Sequence, residues 1–92
     1  MLNDQDIIAR LAKLDGWTRE GNTIVKTCRF ANYHETLAFV NASAWIAHRT
    51  DHHPDLEVGY NRCVVRYSTH SAGSLTEKDF ACAARIDALL AS

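Results

Sequence analysis

The sequence predicts an α+β fold: a single domain over residues 1–92 in the order α-β-β-α-β-β-α, with a four-stranded antiparallel sheet and the helices packed on one face. Three observations carry this. Apolar residues recur at helical spacing in three separate stretches, strand-like alternation fills the two intervals between them, and each strand pair is joined by a connection short enough to require a hairpin. Two strand-turn-strand-helix units therefore follow one another, although no residue-by-residue repeat relates them. The second face of such a sheet is left available to a partner.

Asn3 or Asp4 caps the first helix, since a short side-chain oxygen there accepts from backbone N–H groups that lack helical partners. Ile7, Ile8, Leu11 and Leu14 supply its buried stripe, and Gly16 stops it. Trp17 to Glu20 and Thr23 to Phe30 read as strands joined across Gly21-Asn22, two residues that tolerate the positive φ of a tight turn. Lys26 breaks the alternation, because it shares a face with Ile24 and Cys28. Asn32 and Glu35 form a near capping box for a long helix from Tyr33 to about Arg49, with Tyr33, Leu37, Val40, Ala44 and Ala47 along one face.

Proline disfavours helical backbone at the residue before it, so this helix is over by His53. Leu56, Val58 and Tyr60 alternate with polar residues or glycine as a strand with one buried face. After a turn near Asn61, Cys63, Val65 and Tyr67 continue that face in a second strand. Ser68 to Ser74 is a polar loop. Thr76 then caps the last helix, with Asp79 at its third position and Phe80, Ala83, Ile86 and Leu90 as its buried stripe.

A chain of 92 residues buries only part of its apolar surface, which favours association into a homodimer or homotetramer. Ten Lys and Arg balance eleven Asp and Glu without a run of either sign, so no phosphate-neutralising groove for nucleic acid is expected. Cys28, Cys63 and Cys82 are odd in number, widely spaced and set among apolar neighbours, the pattern of buried reduced thiols. The first residues lack the basic start and apolar run of a signal peptide, and no apolar run approaches the roughly twenty residues of a membrane span. The expectation is a soluble cytoplasmic protein.

Three of the five histidines, His48, His52 and His53, fall within six residues, and the only proline, Pro54, fixes the backbone behind them. Imidazole both takes and gives protons near neutral pH, so two in one pocket can divide acid and base roles. The same residues admit plainer accounts: a histidine at a helix C-terminus complements the helix dipole, and His53 before proline suits a loop. His48 and His52, four apart, would share a face of a continued helix, and with His53 and His70 they present a possible zinc set lacking a carboxylate or cysteine at ligand spacing. His70 lies in a hydroxyl-rich loop. Asp79 is either a helix cap or a carboxylate that orients a histidine. Trp17 and Trp45 read as core or interface residues, and His34 as solvated.

At these residues the sequence resembles the pterin-4a-carbinolamine dehydratase family, also known as the dimerisation cofactor of a homeodomain transcription factor. The family's pattern is an ionisable residue, three of any kind, His-His-Pro, an aromatic after five more, a His after nine more, and an Asp after a further eight or more. His48, His52, His53, Pro54, Tyr60, His70 and Asp79 meet it at every interval. The likeness extends to Gly16-Trp17, the segment from Phe30 to Phe39, Ser68-Thr69-His70 and Leu75 to Asp79. Two mild departures are Asp51, where an amide is commoner, and His48, a position often held by a carboxylate or another polar group; both alter local pocket charge.

The resemblance implies dehydration of 4a-hydroxytetrahydrobiopterin to quinonoid dihydropterin, which recycles the pterin used by an aromatic amino acid hydroxylase. The pterin is substrate, and neither a cofactor nor a metal is implied. Carried over position by position, His52, His53, His70 and Asp79 form the catalytic set, with His52 and His70 as acid and base and Asp79 orienting a histidine. His53, Pro54, Ser68 and Thr69 are the substrate-binding candidates. The resemblance also admits a non-catalytic role, in which the same fold binds a partner or serves as a transcriptional coactivator.

Overall fold

The computed structural model describes residues 2–92. Its elements follow the expected order: α1 (Asp4–Leu11), β1 (Thr18–Glu20), β2 (Thr23–Arg29), α2 (Tyr33–Thr50), β3 (Asp55–Val58), β4 (Arg62–Tyr67) and α3 (Glu77–Ala91). A short 3-10 turn, His70–Ala72, interrupts what the sequence presents as plain loop. The sheet is antiparallel in the order β1-β2-β4-β3.

α1 begins at Asn3, whose side chain accepts from the Asp6 N–H while the Asp6 carboxylate accepts from the Asn3 N–H. The helix ends at Leu11, earlier than its apolar spacing suggests, and Ile8 faces solvent. Ile7 carries the buried contact, with Leu11 and Leu14 partly buried against the core. In the first hairpin only Gly21 takes positive φ, +61°, so the turn needs one permissive residue and not two.

Lys26 keeps its place on the inner face of β2 because its ammonium donates to Asp87 Oδ1 at 2.8 Å and to the Asp15 carbonyl at 2.6 Å. Asp87 also accepts from Trp17 Nε1 and the Asp15 N–H, which locks α3 to the segment entering β1. Burial alone would raise the Asp87 carboxyl, but these donors outweigh it and hold it below the usual carboxylate range.

Of the face its apolar residues mark, α2 buries only Ala47 and part of Val40. Thr36, Phe39, Ser43 and Ala47 point inward, whereas Tyr33, Leu37 and Trp45 are exposed, Trp45 by 63 %. The buried hydroxyls are satisfied locally: Ser43 donates to the Val40 carbonyl, and Thr36 lies within 2.9 Å of the Asn32 and Tyr60 carbonyls. Val58 and Tyr60 are likewise exposed, and Tyr60 stacks on Tyr33 at 6.2 Å. In α3 Leu90 is at the surface, while Cys82 joins Phe80, Ala83 and Ile86 in the core.

β4 is apolar on both faces. Cys63, Val65 and Tyr67 meet the helices, and Val64 is sheltered on the outer face, where Glu57 stands across from it and Arg62 and Arg66 both donate to that carboxylate. The three cysteines are buried and unbonded. Burial pushes the Cys28 thiol up to about 11 even with Lys26 nearby, and raises Cys63 as well.

Candidate active site

The end of α2 sets up the site. Asp51 is the one non-glycine residue with positive φ among the described residues, φ 51° and ψ 41°, and the N–H groups of Asp51 and His52 both return to the Ala47 carbonyl. This Schellman-like ending turns the chain out of the helix. His48 and His52 therefore do not share a face as a continued helix would require: His48 lines a groove with Asn41, Ala44 and Trp45, and His52 turns onto α3.

His52 meets Asp79 there, with Nε2 2.6 Å from Oδ1. The other carboxylate oxygen, Oδ2, accepts from the Thr69 hydroxyl at 2.8 Å and from the Thr76 N–H at 3.0 Å. The Thr76 hydroxyl meets that of Thr69 at 2.8 Å, so both threonines steady the same carboxylate. Asp79 is completely buried with both oxygens partnered. A carboxylate only accepts, so Nε2 is the donor in this pair and Nδ1 is the ring nitrogen left over.

The His52 ring also lies almost parallel to the ring of Tyr67, with centroids 5.7 Å apart at 17°. Burial, with Cys82 and the Asp79 charge nearby, pushes the Tyr67 phenol well above its ordinary range and keeps it neutral.

An open cleft of about 340 Å³ runs past this pair, lined by Asp51, His52, His53, Ser68, Thr69, His70, Ser71 and Lys78. A smaller one of about 230 Å³ shares Ser68, Thr69 and His70 and extends toward Asn22 and Ser74. His70 is exposed at the start of the 3-10 turn, with Nε2 3.5 Å from Ser68 Oγ. Its side chain is thus only loosely held, in contrast to that of His52.

Of the residues marked by the sequence, His52, His53, His70, Ser68 and Thr69 line one cleft, and Asp79 supports them from behind. Pro54 precedes β3 and does not line the cleft, and the Thr69 hydroxyl faces Asp79. The sequence did not single out Tyr67 or Lys78 as site residues. Tyr67 sits immediately before Ser68 at the end of a core strand, and Lys78 immediately before Asp79, so adjacency to motif residues was the available signal. The arrangement offers an oriented imidazole, a second and freer imidazole across a cleft, and hydroxyl and backbone groups along the wall: the parts for moving two protons on a bound molecule.

Comparison with known proteins bears on the chain as a whole. The family described as pterin 4 alpha carbinolamine dehydratase matches residues 1–89. A protein of Nitrosospira multiformis that bears the provisional name pterin-4-alpha-carbinolamine dehydratase is 56 % identical over 88 residues, covering 96 % of this chain and 78 % of its own. One of Chromobacterium violaceum, provisionally named likewise, is 57 % identical over 96 % of this chain and 82 % of its own. Among solved structures, a transcriptional coactivator/pterin dehydratase from Brucella melitensis superposes with a TM-score of 0.91 at 30 % identity, covering 95 % of both chains. A pterin dehydratase-like protein identified as a RuBisCO assembly factor in the alpha-carboxysome reaches 0.67 at 28 % identity, over 79 % of this chain and 84 % of that one.

Proposed function

This chain belongs to the pterin-4a-carbinolamine dehydratase family, and from that premise we propose that it dehydrates 4a-hydroxytetrahydrobiopterin to quinonoid dihydropterin and water. The observation that carries the reading is the His52–Asp79 pair facing His70 across an open cleft. In the reaction the C4a–O bond breaks and N5 loses its proton; the N5–H electron pair becomes the N5=C4a bond, and the hydroxyl leaves with an added proton as water. The pterin is the substrate, and the proton transfers use side chains of this chain alone.

His52 suits the base role, because its Asp79 partner leaves Nδ1 as the acceptor and stabilises the imidazolium that forms. His70 then supplies the proton to the departing hydroxyl. His53, on the wall of the same cleft, holds the pterin, with Ser68 and the Thr69 backbone offering hydrogen bonds to its edge. Pro54 fixes the backbone that carries His53. The test is the decay of carbinolamine generated in situ by an aromatic amino acid hydroxylase: the purified protein accelerates it, and an unchanged rate would refute the assignment.

The physiological setting we infer is pterin recycling after aromatic amino acid hydroxylation, in the cytoplasm, where three buried unbonded thiols are stable. Among the described residues no helix is long and apolar enough to cross a membrane. The exposed apolar residues of α2, Tyr33, Leu37 and Trp45, with Tyr60 stacked on Tyr33, support a homodimer or homotetramer. The same residues favour a second reading, a partner-binding or coactivator role, since one structural relative is identified as an assembly factor. Capture of a partner without any pterin turnover would select that reading.

A further inference from the structure

Resting on the dehydratase reading of the cleft, we propose that Tyr67 is a positioning residue whose ring fixes the plane in which His52 presents Nδ1 to substrate. A single hydrogen bond at Nε2 anchors one edge of an imidazole but leaves the ring free to rock about that bond. The Tyr67 ring, nearly parallel at 17° and offset with centroids 5.7 Å apart, limits this freedom from one side. Asp79 from α3 and Tyr67 from β4 are thus two constraints at different parts of one ring. The remaining ionisable groups around the cleft are Asp51 and His53 on the same segment and His70 and Lys78 beyond it.

Tyr67 is itself backed from behind. It is 0 % exposed and packs on Trp17 at 6.2 Å, and the Trp17 indole N–H donates to Asp87 at 2.9 Å. The Tyr67 hydroxyl is buried beside the Cys82 thiol, a weak partner at best. So poor a partner does not account for a tyrosine here. The ring accounts for it, since it lies nearly parallel beside the His52 imidazole.

The experiment compares the parent protein with Tyr67→Phe and Tyr67→Leu by imidazole nitrogen–proton NMR, with His52→Ala supplying the assignment. The parent is expected to show His52 as a single Nε2–H tautomer, its ring C–H protons shifted upfield by the Tyr67 ring, and Phe should preserve both features. Leu should return those protons to unshifted positions, move the pH–rate profile, and lower kcat about ten- to a hundred-fold with little change in KM. A Leu spectrum identical to the parent's overturns the proposal. Should the Leu variant not fold, the parent decides alone: unshifted His52 protons refute the stack. The spectrum needs no turnover, so an inactive parent with the expected spectrum would sink the dehydratase reading and leave the positioning role standing.

Discussion

Asp79 holds the His52 imidazole with Oδ1, 2.6 Å from Nε2, while its Oδ2 closes the N-terminus of α3 through the Thr76 N–H. One buried carboxylate thereby ties the stability of a helix to the orientation of a candidate catalytic base.

Replacement of Asp79 separates these two duties. Asp79→Asn is expected to keep the fold largely intact, because an amide oxygen still accepts from Thr76, yet to lower turnover about a hundred- to ten-thousand-fold by no longer fixing the His52 tautomer. Asp79→Ala should cost about 1–3 kcal/mol in addition, since it strands the Thr76 N–H. Denaturant melts alongside turnover rates check both, and an Asn variant with parental kcat would show that the pair is structural only.

The Lys26–Asp87 pair gives a pH signature. The folded-state Asp87 carboxyl titrates below its unfolded value, so its contribution is present above the unfolded pKa of about 4 and is lost as pH falls through the lower folded value. Asp87→Asn should therefore be less stable than the parent by about 1–3 kcal/mol at pH 7, with the gap closing in acid. Thermal melts across pH 2–7 (about the carboxylate range) measure this; a gap that does not close would contradict it.

Asp51 sits in the left-handed region, which disfavours a side chain. Asp51→Gly should raise stability by about 0.5–1 kcal/mol, read as a higher denaturant midpoint. A drop in midpoint would mean that the carboxylate makes a stabilising contact that outweighs its backbone strain.

The outward face of α2 predicts association. At micromolar concentration the protein should run above its 10.3 kDa chain mass, and Trp45→Glu should shift it toward monomer in light scattering. A parent that runs as a monomer would contradict the proposed oligomer.

Much of this arrangement was legible in the sequence. Element order followed from apolar periodicity and from Gly21, and the family pattern met by His52, His53, His70 and Asp79 marked the candidate site. The two accounts of Asp79, cap and orienting carboxylate, both hold geometrically because its oxygens divide the tasks. The buried face of α2 was not legible: Thr36 and Ser43 look polar but bond their own helix carbonyls, whereas Tyr33, Leu37 and Trp45 look like core and lie outside. Nor was the fate of His48, since a single left-handed residue, Asp51, turns His52 away from the helical face they would otherwise share. Tyr67 and Lys78 carried no signal beyond adjacency to motif residues, because tertiary packing decides their place at the site.

Turnover of in situ carbinolamine by the parent, His52→Ala and His70→Ala decides whether these two histidines carry the chemistry. The parent should accelerate dehydration, and each substitution should slow it by about a hundred- to ten-thousand-fold. A His52→Ala protein that turns over carbinolamine at the parental rate would contradict the catalytic assignment.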